Sequence, residues 1–472
     1  MEAVRQKAPS TVILAAGLGK RMQSKLVKVL HPVAGRPMIL YLVEAALKMK
    51  SQKVIVVVGH QGDQVRQALT DYPVTIVTQP QPRGTGHAVL QAQPALTGVA
   101  GPVLIVNGDV PLVTDEILRY LVQYHHDNRA ALTLLTTELE SPQGYGRIIR
   151  NARNQVARII EEKDATPEQR KVCEINTGFY VVEKALLFQA LNSVRPNNAQ
   201  REYYLTDIVG IAMRQKKRVT ALCVEHPSEV LGINSRADLA WAEHFMRRRI
   251  LNRHMSQGVS VLDPDTAWVD HDVQIGRDTV LYPGVRIEGQ TRIGEDCTIH
   301  SHTRISDSRI ADGVLVRDCC VVTGAEIERG ARVGPFAHLR PGTVLRPQAQ
   351  VGNFVEIKQT VLGEGSKANH LSYLGDATIG RRVNIGAGTI TCNYDGQAKH
   401  PTVIDDEVFV GSDSQFVAPV RVGKGAVIGA GTTVTEDVPA EALVLSRARQ
   451  TVKMGWAGRR KARGHDVKPQ KE

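Results

Sequence analysis

Residues 269–305 read VDHDVQIGRDTVLYPGVRIEGQTRIGEDCTIHSHTRI, and every sixth residue of this stretch is aliphatic. Neither an α-helix, with a period of 3.6 residues, nor an ordinary strand, with a period of two, produces a step of six. A coil with three short parallel strands per turn does, because each hexad supplies one strand and one corner. After two slips of one residue the ladder continues to Ile357, and a last run extends from Ile404 to Val434. The pattern predicts a left-handed parallel β-helix of hexapeptide repeats.

Before about residue 230 the pattern changes to short aliphatic strands that alternate with helices. Gly, Asn or Asp bounds each strand, which favours a doubly wound, mostly parallel α/β sheet with helices on both faces. Ligands of such sheets bind beyond the carboxyl ends of the strands. The predicted strands are Thr11–Ala15, Val54–Val58, Val103–Val106, Ala131–Leu135 and Phe179–Val182.

Length and composition limit the classes of protein that this chain can belong to. A chain of 472 residues is too long for one core, so more than one domain is expected. No stretch approaches the ~20 apolar residues that span a membrane. The net charge is +11, but the sequence contains no aromatic-interleaved basic patch and no RNA-binding motif. Anionic small molecules are therefore favoured over nucleic acid as partners. Six cysteines without C-x-x-C spacing suggest reduced thiols in a cytoplasmic protein.

The pattern changes also predict domain boundaries. Residues 1–234 would form the α/β domain, and residues 235–257 a stiff linker helix, since an apolar stripe runs through them without Pro or Gly. Residues 258–450 would form the coil. Residues 451–472 would form a basic tail that we expect to be solvated and disordered.

Two segments of the α/β half carry candidate nucleotide-binding chemistry. Leu14-Ala-Ala-Gly-Leu-Gly-Lys-Arg21 follows the first strand, and its glycines would let backbone N–H groups approach phosphate oxygens. It lacks the third glycine of a dinucleotide fingerprint and the GK[ST] ending of a Walker loop, so an ordinary turn remains the alternative. Asp109 ends another strand with a carboxylate that could hold Mg2+ or cap the next helix.

A second candidate site lies in the coil. We expect the hexad rhythm to fail from about Val361 to Leu374, so that His370 would lie on an inserted loop that a mere scaffold has little use for. Arg340 and Lys358 are separated by three hexads and should stack as a phosphate clamp, although coil exteriors also carry isolated cations. A histidine at such a place could act as a general base.

Several motifs together resemble the sugar-1-phosphate nucleotidyltransferases. With the coil included, the chain from about residue 10 to residue 457 is similar to the bacterial family that joins an N-acetylglucosamine-1-phosphate uridylyltransferase to a glucosamine-1-phosphate N-acetyltransferase. The chain departs from the family pattern at Lys20, Val27 and Asn107. The motifs are the segment from Leu14 to Lys28, Gly84-Thr-Gly86, Gly108-Asp-Val-Pro111, Tyr145-Gly-Arg147, Glu161-Glu-Lys-Asp164, Asn176-Thr-Gly178 and Gly232-Ile-Asn234.

For the α/β half, the resemblance implies UTP as co-substrate and Mg2+ as cofactor. Asp109 and Asn234 would coordinate Mg2+, while Arg21 and Lys28 would hold the triphosphate. Without the family pattern, the sugar-binding candidates would be ordinary turn or surface residues. The implied nucleotide-binding residues are Leu14, Ala15, Gly17, Gln79, Gly84 and Thr85, and the implied sugar-binding residues are Gly146, Glu161 and Asn176.

For the coil, the resemblance implies His370 as the general base, oriented by Glu356. It further implies a homotrimer, with each acetyl-transfer site shared between subunits. Glucosamine-1-phosphate would be bound by Arg340, Lys358, Tyr373 and Asn384, and acetyl-coenzyme A by Ala387, Asn393, Tyr394, Ser412, Ala430 and Arg447.

Two alternatives remain beside a bifunctional enzyme. The coil could serve only to build the oligomer of a monofunctional nucleotidyltransferase, although the cations and His370 argue against this. The chain could also be a non-catalytic regulatory subunit that keeps both folds. Loss of a phosphate- or metal-binding residue would have indicated that case, and Arg21, Lys28, Asp109 and Asn234 are all present.

Overall fold

The computed structural model describes residues 7–17, 19–59, 61–446 and 449–464. The chain divides into two compact units. The first, here the α/β unit, consists of the residues up to Arg253 together with Val269–His271. The second, here the coil unit, consists of His254–Trp268 and the residues from Asp272 onward.

The α/β unit is built on one sheet with the strand order β11-β7-β10-β6-β1-β4-β5. Neighbouring pairs among β6, β1, β4 and β5 are parallel, as is the pair of β7 and β11. A separate two-stranded ribbon, β2 with β3, follows the first strand. The strands are β1 Ser10–Ala15, β2 Pro32–Val33, β3 Arg36–Pro37, β4 Val54–Val58, β5 Thr75–Thr78, β6 Pro102–Asn107, β7 Leu132–Glu138, β8 Arg147–Arg150, β9 Val156–Ile160, β10 Glu174–Glu183 and β11 Val219–Val224.

One strand departs from the parallel direction. The segment predicted at Phe179–Val182 lies inside β10, which runs antiparallel to both β6 and β7. The chain returns to the sheet through the antiparallel strands β8 and β9 and not through a crossover helix, so its direction reverses. The sheet is therefore mixed.

Helices cover both faces of this sheet, as the alternating pattern predicts. Alternate residues of β1 enter opposite cores: Ile13 packs in a cluster with residues of α1 and α4, and Val12 in a cluster with residues of α6 and α7. The helices are α1 Met38–Lys48, α2 Gly62–Ala68, α3 Thr85–Leu90, α4 Asp115–Asp127, α5 Pro167–Arg170, α6 Lys184–Ser193, α7 Asp207–Arg214 and α8 Arg236–Ser256.

The long helix α8 begins at a reciprocal cap. The Asp238 carboxylate accepts the backbone N–H of Ser235 at 2.9 Å, and the Ser235 hydroxyl accepts the N–H of Asp238 at 3.1 Å. Each side chain thereby satisfies a donor that the first helical turn leaves without a partner. The helix then continues without a break to Ser256.

In the coil unit every third strand, up to the last one, belongs to the same parallel sheet, which is the arrangement of a left-handed β-helix of hexapeptide repeats. The first sheet contains Ser260–Val261, Val280–Leu281, Thr298–Ile299, Leu315–Val316, Arg332–Val333, Gln350–Asn353, Lys367–His370, Asn384–Ile385, Phe409–Val410, Val427–Ile428 and Leu443–Val444. The second contains Trp268–Val269, Arg286–Glu288, Arg304–Ser306, Val321–Thr323, His338–Leu339, Glu356–Lys358, Tyr373–Gly375, Ile390–Cys392, Gln415–Val417 and Thr433–Val434. The third contains Gln274–Ile275, Arg292–Ile293, Arg309–Ile310, Glu326–Ile327, Val344–Leu345, Val361–Leu362, Ala377–Ile379, Thr402–Ile404 and Val420–Val422.

The aliphatic ladder fills the axis of the coil. Residues from every sheet, such as Ile299, Ile305 and Leu345, have no exposed surface. Thr391 takes a ladder position and is also buried. Its hydroxyl donates to the Gly375 carbonyl at 3.0 Å, so the buried polar group has a hydrogen-bond partner. The burial of apolar side chains along this axis is the main stabilising contribution to the coil.

The prediction that the hexad rhythm is interrupted between Val361 and Leu374 was wrong. That stretch continues the coil: Ala368 and Leu374 fill the axis, and His370 pairs in register with Asn353 of the preceding turn. The chain instead leaves the coil at residues 393–401, between the strands Ile390–Cys392 and Thr402–Ile404. At the same corner one turn earlier, Asp376 alone separates the two strands.

The prediction of a disordered tail was also wrong in part, since residues Trp456–Gly464 form a helix, α9. The Arg460 guanidinium lies 5.3 Å from the centre of the Trp456 ring. Residues after 464 lie outside the described part of the chain.

Candidate active sites

The loop after β1 begins where parallel strands end side by side. Leu14 pairs with Asn107 of β6, and the loop continues past the end of β4. A Cβ atom at Gly59 would lie 2.7 Å from the carbonyl oxygen of Ala16, so the two segments approach as closely as their backbones allow. Gly17 faces open space, which leaves its backbone accessible to a ligand. The predicted residues Leu14, Ala15 and Gly17 all lie in this segment.

The same loop supports Lys28. Gly19 has a φ of +58°, which favours glycine, and a Cβ atom there would lie 2.7 Å from the Cβ of Lys28. The aliphatic stem of Lys28 therefore runs directly beneath the loop. The Arg21 side chain is exposed, on the short helical turn Lys20–Met22. The two cations predicted to bind the triphosphate thus flank one glycine loop.

Lys28 also joins the two predicted metal ligands. Its ammonium donates to the Asn234 Oδ1 at 2.8 Å and forms an ion pair with the Asp109 carboxylate. The Lys28 and Asp109 side chains are only 13% and 17% exposed. Two oxygen atoms from distant parts of the sequence therefore converge on one positive charge. The Asp109 and Ile233 backbones hold these segments together, since Ile233 donates to the Asp109 carbonyl at 2.9 Å.

This donor set fits Mg2+. Carboxylate and amide oxygens are ligands that this hard cation prefers, and it normally keeps further positions for phosphate oxygens or water. Among the described residues, no group of three or more His, Cys, Asp and Glu side chains forms a complete metal site. Asp109 and Asn234 thus fit a cation that phosphate groups help to bind.

Tyr145 is a further residue of this site. Burial raises the pKa of its phenol to about 12, and the negative charges of Asp238 and Asp109 add to this effect while Arg21 opposes it. The phenol therefore stays neutral and able to donate a hydrogen bond near neutral pH. The sequence motif containing Tyr145 pointed to this region, but not to that role.

The segment from Gln79 to Thr85 packs closely against the segment that contains Tyr203 and Leu205. Gln79 is buried and donates to the Gly84 carbonyl at 3.1 Å. A Cβ atom at Gly84, where φ is +105°, would lie 2.7 Å from the Tyr203 carbonyl oxygen. The Thr85 hydroxyl accepts the Leu205 N–H at 3.0 Å. Gln79, Gly84 and Thr85 are thus brought together, as expected for a base-binding subsite.

The three predicted sugar-binding residues also meet. The Asn176 N–H donates to the Gly146 carbonyl at 2.8 Å, and a Cβ atom at Gly146 would lie 3.5 Å from the Glu161 carboxylate. The Thr206 hydroxyl donates to Glu161 at 3.1 Å. Glu161 and Thr206 line a polar cavity of about 640 Å3. Burial raises the pKa of the Glu161 carboxyl, although Thr206 opposes the shift.

Val27 and Asn107 depart from the family pattern, and both are compatible with the backbone around them. Val27 has a φ of −57°, which is the value that a proline would impose, so valine keeps the same backbone path. The Asn107 amide lies directly beside Gly178, and a Cβ atom at Gly178 would collide with the Asn107 Nδ2. The side chain of Lys20 lies outside the described part of the structure.

In the coil unit, Arg340 and Lys358 occupy equivalent positions of successive turns, as their spacing predicts. Lys399, on the excursion at residues 393–401, lies against Lys358. With Arg340 it lowers the pKa of the Lys358 ammonium below its usual range, Lys399 having the larger effect. Glu356 accepts a hydrogen bond from Arg340 at 2.8 Å. Three cations thus converge where a bound anion would relieve their repulsion.

His370 is exposed at the end of its strand, and its partner is not the predicted one. Its Nδ1 lies 2.8 Å from the Asn353 Oδ1. An amide oxygen at this position accepts the proton of the Nδ1–H tautomer, which leaves Nε2 as the basic nitrogen. Glu356, which we expected to orient His370, binds Arg340 instead. Asn353 was missed because a single asparagine in a regular coil has no distinguishing pattern.

The remaining sugar-phosphate candidates lie on neighbouring strands of the coil. Tyr373 begins a strand next to the one containing Glu356 and Lys358, and a Cβ atom at Gly375 would lie 2.8 Å from the Asn393 Nδ2. The Asn393 amide donates to the Asp376 carboxylate. Asn384 belongs to the same sheet as His370, one turn further along.

The acetyl-coenzyme A candidates form a column along one corner. The Ala387 carbonyl accepts the Asp413 N–H at 2.7 Å, and the Ser412 carbonyl accepts the Gly431 N–H at 2.9 Å. Ala387, Ser412 and Ala430 therefore lie on successive turns. Tyr394 is 61% exposed at the start of the excursion. Arg447 lies outside the described residues.

The two units match different family models. Residues 11–176 match the MobA-like NTP transferase domain, and residues 272–307 and 401–436 match the bacterial transferase hexapeptide model of six repeats. Fold and site together define a bifunctional transferase with a nucleotidyltransferase domain and a hexapeptide transferase domain. In the described part of the chain, no helix has both the length and the apolar character needed to cross a membrane.

Whole-length relatives identify the family. Proteins named bifunctional protein GlmU from Pelobacter propionicus and Geobacter metallireducens are each 50% identical to this chain, over 96% and 95% of its length and 98% of theirs. The GlmU protein of Halalkalibacterium halodurans is 46% identical over 94% of this chain and 97% of its own. The chain belongs to the bifunctional GlmU family. The predicted family, fold class and bifunctional character are confirmed.

Proposed function

We propose that the coil unit transfers the acetyl group of acetyl-coenzyme A to the amine of glucosamine-1-phosphate. The α/β unit then transfers a uridylyl group from UTP to the resulting N-acetylglucosamine-1-phosphate, releasing pyrophosphate. The observation that carries the proposal is the presence, in one chain, of the cluster of Lys28, Asp109 and Asn234 and of His370 bonded to Asn353. We place both reactions in the cytoplasm.

In uridylyl transfer the nucleophile is an oxygen of the sugar phosphate, which is already anionic. It attacks the α-phosphorus of UTP while the bond to the pyrophosphate oxygen breaks. The protein therefore needs no general base, and its task is to position the phosphates and neutralise their charge. Arg21 and Lys28 supply positive charge to the leaving pyrophosphate. Bound by Asp109 and Asn234, Mg2+ would stabilise the charge that develops on the phosphate oxygens.

In acetyl transfer the ammonium group of the substrate must first lose a proton to give the free amine that attacks the thioester. As the amine forms the new N–C bond, the Nε2 of His370 takes a proton from its nitrogen, and that proton passes to the sulfur as the C–S bond breaks, so that coenzyme A leaves as a thiol. Asn353 keeps the imidazole in the tautomer that this step needs. Arg340, Lys358 and Lys399 would bind the phosphate of glucosamine-1-phosphate.

We further propose a homotrimer with acetyl-coenzyme A bound between neighbouring coils, in part by Arg447. The corner formed by Ala387, Ser412 and Ala430 supports this, because Ser412 and Ala430 are exposed and a ligand bound along them could be covered by a neighbouring surface. Light scattering of the purified protein should give three times the chain mass. A monomeric mass together with full acetyl transfer would contradict a shared site.

Purified protein incubated with glucosamine-1-phosphate and acetyl-coenzyme A should release free thiol without UTP. Adding UTP and Mg2+ should then yield UDP-N-acetylglucosamine and pyrophosphate. A chelator should stop pyrophosphate release and leave thiol release unchanged, because the coil site relies on no metal. Pyrophosphate release from N-acetylglucosamine-1-phosphate without any thiol release would favour the alternative in which the coil is only a scaffold.

A further inference from the structure

Lys28 has a second role that its phosphate-binding function does not require. We infer that, in the nucleotide-free protein, the Lys28 ammonium binds the side-chain oxygen atoms of Asp109 and Asn234 and competes with the divalent cation for them. The inference rests on the proposed function, because that proposal makes these two oxygens the Mg2+ ligands. The inference deepens the proposed function by making Lys28 the residue that couples metal binding to nucleotide binding.

The contacts of the ammonium carry the argument. Lys28 donates to the Asn234 Oδ1 at 2.8 Å while it forms an ion pair with the Asp109 Oδ2. Both members of the ion pair are mostly shielded from water, so the attraction between them is screened less than at the surface. A metal ion bound by the same two oxygens would lie in the place that the ammonium occupies between them, so the ammonium must move away.

The backbone around Lys28 leaves its side chain little choice of partner. Val29 and Leu30, which follow it, are buried, and Gly19 packs directly on the Lys28 Cβ. Only the far end of the side chain is free to move. When the ammonium leaves Asp109, it needs a new anion, and the triphosphate beside the glycine loop would provide one.

Nucleotide and metal should therefore favour each other's binding. The triphosphate draws Lys28 away from the two oxygens and contributes oxygen ligands of its own, whereas a metal ion arriving alone meets a site already filled by a positive charge. Linkage requires that the metal increase the affinity for nucleotide by the same factor.

Mn2+ binding to the nucleotide-free full-length protein tests this competition, with free Mn2+ measured by electron paramagnetic resonance. Lys28→Met keeps much of the side-chain length and removes the charge. It should bind Mn2+ at least about tenfold more tightly than the wild type, which corresponds to about 1.4 kcal/mol. Lys25→Met, at an exposed position of the same segment, is the matched control and should bind Mn2+ like the wild type. With UTP present, the wild type should gain more Mn2+ affinity than Lys28→Met.

Equal or weaker Mn2+ binding by Lys28→Met would overturn the inference. So would a gain that persists in the double variant Lys28→Met/Asp109→Ala, because the extra Mn2+ would then bind elsewhere. Thermal unfolding and thiol release by the coil unit would verify that each variant is folded. A wild type that binds Mn2+ as expected but transfers no uridylyl group would count against the proposed function alone.

Discussion

At the scale of single residues, each candidate site contains a polar side chain whose surroundings lead to a testable prediction. Glu161 is the clearest case in the α/β unit, because its largely buried carboxylate accepts a hydrogen bond from Thr206 and from no other described residue. Burial raises the pKa of that carboxyl, and the nearby carboxylates of Asp164 and Asp207 raise it further. A sugar hydroxyl bound there would supply the donor that the isolated protein lacks.

Glu161→Gln should therefore stabilise the protein and weaken its function. An acid whose pKa is raised on folding destabilises the folded state above its unfolded-state pKa and has no such effect below it. The variant should melt at a higher temperature than the wild type near about pH 8, and the difference should shrink toward about pH 4. Its KM for N-acetylglucosamine-1-phosphate should rise. Calorimetry that found the variant less stable at the higher pH would refute this account of the site.

Asn353 offers a comparable test in the coil. Asn353→Ala removes the acceptor that holds the His370 Nδ1 proton, so kcat for acetyl transfer should fall about tenfold to a hundredfold with little change in KM. Asn353→Asp keeps an acceptor at the same position and should recover most of the rate. If both variants lose the same activity, Asn353 serves the coil backbone and not the histidine.

Sequence motifs identify some residues of the candidate sites and miss others, and the two groups differ in how they reach their sites. Asp109, Gly84 and Asn234 stand in short ordered motifs; Asp109 follows the end of β6, and Asn234 meets it at the Lys28 ammonium. Asn353 and Lys399 carry no local signal, since each gains its role from a neighbour on another turn of the coil. The register of the turns brings Asn353 to His370, and the excursion brings Lys399 to Lys358.

At the scale of elements, the coil shows how spacing can mislead. The ladder steps by five residues from Ile357 to Leu362 and from Leu374 to Ile379, and Ala368 fills one axial position. From the sequence this looks like a loop. The corners absorb the shorter steps and the strands keep their register, so the hexad count fails where the coil does not. The fold class was predictable from the repeats, whereas the location of the excursion was not.

Shortening that excursion gives an element-scale prediction. Replacing residues 393–401 by the single-residue corner seen at Asp376 should leave the coil folded, because the strands on either side already pair with the preceding turn. Acetyl transfer should fall by about a hundredfold or more, since Lys399 and Tyr394 are removed. Uridylyl transfer and the melting temperature should change little. A variant that keeps its acetyl-transfer rate would show that the excursion has no part in the site.

At the scale of the whole molecule, each unit has its own core and its own set of polar residues. The metal-ligand candidates Asp109 and Asn234 belong to the α/β unit, and His370 and the three cations around Lys358 belong to the coil unit. No residue of either set is needed to build the other. The chain should therefore behave as two enzymes whose activities can be lost one at a time.

The most direct test of this central claim measures both activities in two variants, Asp109→Ala and His370→Ala. Asp109→Ala should lower uridylyl transfer on the order of a hundredfold or more and leave thiol release near the wild-type rate, while His370→Ala should do the reverse. Both proteins should unfold at temperatures close to that of the wild type. If either substitution, in folded protein, damaged both activities to the same extent, the account of two separate active sites would be contradicted.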